Sequence, residues 1–318
     1  MTGLPGTSAD GPGPGGPRCS DVSRESGEPM AGTAPRADVW VAVEHTPGWG
    51  DADLTRSAHG VRVLMVRRRR ERPDSGAAST TESLGGTSDV GASLRTGATG
   101  ARVWVGYATG TPTLRVGQVD RPDAVAGWDL SAIAAGSMRD WGASDADPLL
   151  LVCANGRRDR CCGHSGGRLA DSLWRGPFAD RVLTCTHLGG HRFAPTALLL
   201  PIGALHGRLD QPRAAGLLTA ATRGFMGADT LRGHSTLDQP AQVAEVHART
   251  ITGHGGLAPL QVALTASDDP DRMGATVRGW NTSIAGESLE LALIRTSSPA
   301  LLSCGRDPEA TAHWSIAP

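Results

Sequence analysis

Cys153 and Cys162 are separated by eight residues, and His187 and His191 by three. Cys161 and Cys185 lie in the same stretch, which therefore holds four of the chain's six cysteines. Thiolate and neutral imidazole are ligands for soft and borderline metal ions, and a thiolate is also a nucleophile. The residues alone leave four readings open. In an iron–sulfur site, two thiolates would hold one iron of a [2Fe–2S] cluster and two imidazoles the other, the ligand set of Rieske centres. A zinc site has the right ligands in the right order. Its spacing is poor: eight and 24 intervening residues, against two to four and ~12 in zinc fingers. A thiol redox site would use Cys161 and Cys162, but these adjacent cysteines lack the C-x-x-C spacing. In the fourth reading the cysteines pack in the core and the histidines cap a loop.

The surrounding elements decide whether these residues can meet. DPLLLVCANG (147–156) is a short apolar run of the buried, parallel-strand kind, and Cys153 sits at its end. Cys162 closes the next loop, ahead of a helix in GGRLADSLWRG (166–176). RVLTCTHLGG (181–190) is the next strand, with His187 and His191 at and beyond its end. Parallel strands bring both ends to one edge of the sheet, where ligands bind in open α/β folds. Gly189 and Gly190 argue against a helical pair of histidines and for close backbone passage. A hairpin at 196–210 and a helix at 211–226 complete the order strand, helix, strand, hairpin, helix. That is the order of a thioredoxin-like core, so the expected fold class is α/β.

Around this core, at 147–235, the chain reads as three further regions. Residues 1–35 are rich in Gly, Pro and Ser and are expected to be disordered. Residues 36–146 form a preceding α/β region, with strands at 38–46, 60–69, 101–110 and 113–120 and a mobile loop at 71–100. Residues 236–318 form a C-terminal α+β extension, with a helix at 239–251 and strands at 275–280 and 287–297. Net charge is -1 and lysine is absent, so nothing draws the whole chain toward nucleic acid or anionic lipid. No apolar run reaches the ~18–20 residues of a membrane span, and no signal peptide is visible. A cytoplasmic location is expected, where cysteines serve metals or catalysis more often than disulfides. Arg157-Arg158-Asp159-Arg160 is either a docking stretch for an acidic partner or a solvated loop. His206 is expected at the surface or as a satisfied core group, and Cys19 and Cys304 have no assignable partner.

Several blocks, in order, resemble the sucrase/ferredoxin-like family: CSDVSRESGEPMAGTAPRADVWVAVEHTPGWG from Cys19, CANGRRDRCCGHSGGRLADSLW, and CTHLGGHRFAPTALLLPIGALHGRLD. SCGRDP near the end is a weaker likeness. The resemblance implies a thioredoxin-like ferredoxin whose [2Fe–2S] cluster is held by Cys153, Cys162, His187 and His191. All-cysteine branches of the family make Cys161 and Cys185 reserve ligands. It implies an electron-transfer or redox-sensing protein, a carrier more than an enzyme, working between donor and acceptor proteins. The alternatives are a thiol- or cluster-dependent oxidoreductase using Cys161 or Cys185, and a zinc-stabilised interaction module. No carboxylate pair suited to glycoside hydrolysis is localisable.

Overall fold

The computed structural model describes residues 16–45, 54–69, 100–279 and 287–318. Nearly all of the expected mobile loop, and residues 1–15 of the expected disordered arm, lie outside them. The rest of that arm corrects the expectation. Cys19–Glu25 is a helix (α1) with Cys19, Ser20 and Ser23 buried. Its anchors are side chains far along the chain, which composition does not report.

β-Branched residues then build strands, where they pack well on a pleated surface. Val39–Glu44 (β1), Ser57–Ala58 (β2), Val61–Arg67 (β3), Ala101–Tyr107 (β4) and Thr113–Val119 (β5) come first. The short helix Leu130–Ala134 (α2), N-capped by the Asp129 side chain, and Ala143–Asp145 (β6) follow. The core has the expected order: Leu149–Cys153 (β7), Gly167–Leu173 (α3), Val182–Cys185 (β8), Ala197–Leu200 (β9), Ala204–His206 (β10) and Gln211–Ala221 (α4). With Leu231–His234 (β11), these strands form one sheet in the order β11-β10-β9-β7-β8-β3-β1-β4-β5-β6, with β2 beside β3. Within the core, β7 and β8 are parallel and β9 and β10 antiparallel, the mixed sheet of the expected α/β class. The regions at 36–146 and 147–235 share this sheet. They join where β3 meets β8, through Val66–Cys185 and Arg67–Thr184.

Side-chain alternation gives the two faces of β7 different partners. Leu150 and Val152 pack against Leu169 and Leu173 of α3 and Leu217 and Leu218 of α4. Leu149, Leu151 and Cys153 face the other way, into a cluster with Trp40, Leu64, Trp104 and Leu200. Trp104 on β4 and Leu200 on β9 have four strands between them in the sheet yet share this cluster. The sheet therefore coils around its inner face.

The expected helix of the extension is Gln239–Thr252 (α5). An antiparallel sheet follows: Gln261–Ala266 (β12), Arg272–Arg278 (β13), Leu289–Ala300 (β14) and Glu309–Ile316 (β15). It packs on α5 through Val243, Ala244 and Ala248. Glu245 of α5 is fully buried between His234 Nδ1 at 2.8 Å and Arg249 Nε at 3.1 Å, and so ties α5 to β11. No helix among the described residues is long and apolar enough to cross a membrane.

Candidate metal centre

β7 stops at Cys153. The Cys153 N–H still donates to the Thr196 carbonyl at 3.0 Å, and the Ala154 N–H to the Cys185 carbonyl at 3.2 Å, before the chain leaves the sheet. It returns as one turn of π-helix, Cys162–Gly166, an uncommon geometry that recurs at functional sites. A Cβ at Gly166 would collide with the Cys153 carbonyl, so only glycine lets this turn lie against the end of β7. Cys162 is thereby delivered beside Cys153. On the neighbouring strand Cys185 pairs in register with Cys153, and His187 follows two residues later. One ligand atom each from Cys153, Cys162 and His187 lie within 4.8 Å of one another. His191 starts a short 3-10 turn beside this set, its ring centroid 5.0 Å from that of His187.

The Nδ1 atoms of both His187 and His191 are buried and have no hydrogen-bond partner in the protein. Buried polar atoms are nearly always paired. His187 converges with the two thiols and His191 lies beside His187, so the donors fit a metal group with mixed sulfur and nitrogen ligands. On its other side, His191 Nε2 faces Asp159 Oδ2 at 3.7 Å.

Arg232 holds the loop between the histidines and carries no motif of its own. It is fully buried, donating to the Gly189 carbonyl at 3.0 Å and to Thr33 Oγ1 at 3.0 Å. Desolvation, aided by Arg192, lowers its pKa to about 9, against the pull of Cys153 and Cys162. Its one sequence signal is a lone arginine in the strand LRGH. Gly190 has φ 70°, and a Cβ there would meet the Arg232 guanidinium. Gly190→Ala is therefore expected to destabilise the fold by roughly 1–3 kcal/mol, read as a lower urea midpoint with unchanged far-UV dichroism.

The thiols differ in their readiness to ionise. The Cys162 thiol donates to Cys153, and with help from His187 this holds Cys153 well below the ordinary range despite burial. Cys162, as the donor, is pushed up. Desolvation, then the Cys153 charge, push Cys185 well above its ordinary value. Cys185 lies in the inner core cluster and outside the ligand set. Desolvation lowers the pKa of His191, favouring the neutral imidazole that binds metals.

Cys161 belongs elsewhere, which corrects its place as a reserve ligand of the first set. Its sulfur joins Cys19, Cys304 and the carboxylate of Asp159 in a second set, again within 4.8 Å. Asp159 is fully buried, so the run at 157–160 is not simply a solvated loop. Burial opposes its charge, but the N–H groups of Cys304 and Cys161, with His191, more than offset this and hold its pKa low. Cys19 and Cys304, unpartnered in the sequence, find their partners here.

Residues 76–233 match the sucrase/ferredoxin-like family model. About half of the chain is thus sucrase/ferredoxin-like. Searches of curated proteins and of solved structures give no match. In this sucrase/ferredoxin-like protein the matched span contains Cys153, Cys162, His187, His191 and Arg232, but neither Cys19 nor Cys304. The second set thus draws two of its three thiols from outside the family match.

Proposed function

We propose that this sucrase/ferredoxin-like protein is a one-electron carrier or redox sensor. In this reading Cys153 and Cys162 hold one iron of a [2Fe–2S] cluster and His187 and His191 the other. The observation that carries the reading is the convergence of Cys153, Cys162 and His187, with buried, unpartnered Nδ1 atoms on both His187 and the adjacent His191. Bound there, the cluster would accept and return single electrons, and neutral ligands in place of thiolates make the electron easier to add.

The chain's own residues supply the rest. Arg232, buried close by, offsets the charge of the two thiolates. His191 turns Nε2 toward the Asp159 carboxylate, 3.7 Å away, which leaves Nδ1 as the metal-facing nitrogen. Arg157 and Arg158 are exposed on the ligand loop and give an acidic donor or acceptor protein a surface to dock on. A reducing cytoplasm suits six free, buried cysteines.

The test is anaerobic purification of the full chain, followed by iron and acid-labile sulfide analysis, visible spectroscopy and EPR after dithionite. Two irons per chain and a reduced-state signal are expected. Both should vanish in Cys153→Ser and Cys162→Ser and survive in Cys161→Ser. A chain that takes up neither iron nor sulfide refutes the proposal. So does a cluster that Cys161→Ser removes and Cys153→Ser leaves intact.

A further inference from the structure

Cys19 begins α1, Cys161 precedes the π-turn, and Cys304 lies in the connection between β14 and β15. Their sulfurs form a triangle with sides of 3.3 Å (Cys161–Cys304), 3.6 Å (Cys19–Cys161) and 3.6 Å (Cys19–Cys304). Asp159 caps it. Its Oδ1 lies 3.4 Å from Cys304 Sγ, and both its oxygens lie 3.8 Å from Cys19 Sγ. All four residues are buried. We propose that Cys19, Cys161, Cys304 and Asp159 bind a single zinc-class divalent ion, distinct from the Cys153–Cys162–His187 set.

The dimensions favour one ion. Tetrahedral zinc with Zn–S near 2.3 Å and Zn–O near 2.0 Å has S···S edges of about 3.8 Å and S···O edges of about 3.5 Å. The observed edges, 3.3–3.6 Å and 3.4–3.8 Å, need to move by only a few tenths of an ångström. An iron–sulfur cluster would divide the thiolates among different irons and spread them wider than this triangle. A disulfide would employ two sulfurs and leave a third thiol and a carboxylate buried against it.

The surroundings are arranged for anionic ligands. Cys304 Sγ accepts from the Cys19 N–H at 3.4 Å, and Cys161 Sγ from the Ser20 hydroxyl at 3.3 Å. Asp159 is aimed by the Cys161 N–H at 2.8 Å, the Cys304 N–H at 2.9 Å and the Ser303 hydroxyl at 3.0 Å. Binding the ion releases the thiol protons to solvent and changes no oxidation state. The ion would fasten the N-terminal helix and the C-terminal connection to the loop that carries Cys162. Asp159 also reaches His191, so the clamp backs directly onto the first set.

The test counts metals in the anaerobically isolated full chain grown with zinc and iron. The expected result is a single zinc ion per chain, lost in Cys304→Ser and Cys19→Ser and kept in Cys153→Ser. Iron should remain in Cys304→Ser, so failure of this site and failure of the iron–sulfur reading leave different signatures. Cobalt(II) added to the zinc-stripped chain should give a sulfur-to-cobalt charge-transfer band that Asp159→Asn shifts and Cys304→Ser abolishes. Dichroism of each variant separates loss of metal from loss of fold. Should Cys304→Ser unfold, the wild-type zinc count and cobalt band carry the decision. Zinc absent from the wild type, zinc lost with Cys153→Ser but not with Cys304→Ser, or a Cys161–Cys304 disulfide in the freshly isolated chain overturns the proposal.

Discussion

His187→Cys is expected to lower the midpoint potential of the iron-loaded chain by on the order of 100 to 300 mV, while the chain still binds iron. Exchanging a neutral imidazole for a thiolate adds one negative charge beside the group that must accept an electron. Centres with two histidine ligands lie at roughly −150 to +300 mV against about −400 mV for all-cysteine plant-type ones, so one exchange should cover a good part of that interval. His187 is partly buried with its Nδ1 enclosed, so the added charge is incompletely screened, and Arg232 compensates only part of it. The same site gives the wild-type potential a pH slope. An added electron strengthens the proton's hold on the outer nitrogen of His191, already faced by Asp159. Where the oxidised chain has released that proton, reduction takes it up again, and the potential falls as pH rises, by up to about 59 mV per unit for one proton per electron. Protein-film voltammetry of both forms from pH 6 to 10 reads both effects. A His187→Cys potential equal to the wild type's, or a wild-type line flat across the range, would show that the imidazoles do not ligate the iron.

What the sequence made legible was local. Apolar runs and turn residues marked β1, β3, β4, β5, β7, β8, the β9–β10 hairpin, α3, α4 and α5, because each is written in consecutive residues. Cys153, Cys162 and His187 were legible for a related reason: Cys153 and His187 stand at or just past the ends of two adjacent parallel strands, and the loop leaving the first carries Cys162. The second thiol set has no such device. Cys19 and Cys304 lie 142 and 143 residues from Cys161, and only the closed fold joins them. Asp159 was hidden by three arginines whose charge reads as solvent exposure, whereas its carboxylate turns inward onto backbone N–H groups. β12 and β15 were missed although QVALTA and HWSI alternate. Both lie on a sheet whose outer face is exposed, and the apolar signal is weak there. The coiling of the large sheet depends on side chains with four strands between them and has no local trace.

Acidification from pH 6.5 to 5 is expected to destabilise the wild type more than a His206→Leu variant, by about 2 kcal/mol over that interval. His206 is fully buried. Its Nδ1 pairs with Thr230 Oγ1 at 2.9 Å, while its Nε2 is buried without a partner. Desolvation, reinforced by the nearby His234, Arg232 and Arg249, lowers its pKa to about 3. In the unfolded chain the same ring titrates near 6.5. Between those values the unfolded state binds a proton that the folded state refuses, so stability is complete above pH 6.5 and falls as pH drops toward 3. Over the whole window the difference reaches about 4 to 5 kcal/mol, a large share of the stability of an ordinary domain. Glu245 and Asp159 have lowered pKa values and add losses only once carboxylates begin to protonate, so the interval above pH 5 isolates histidine. His191 shifts in the same direction as His206, so the variant should lose one proton of slope and not the whole. Urea unfolding at half-unit steps of pH measures this directly. Parallel stability curves for the wild type and His206→Leu from pH 6.5 to 5 would mean that His206 is protonated in the folded chain, or that water reaches it.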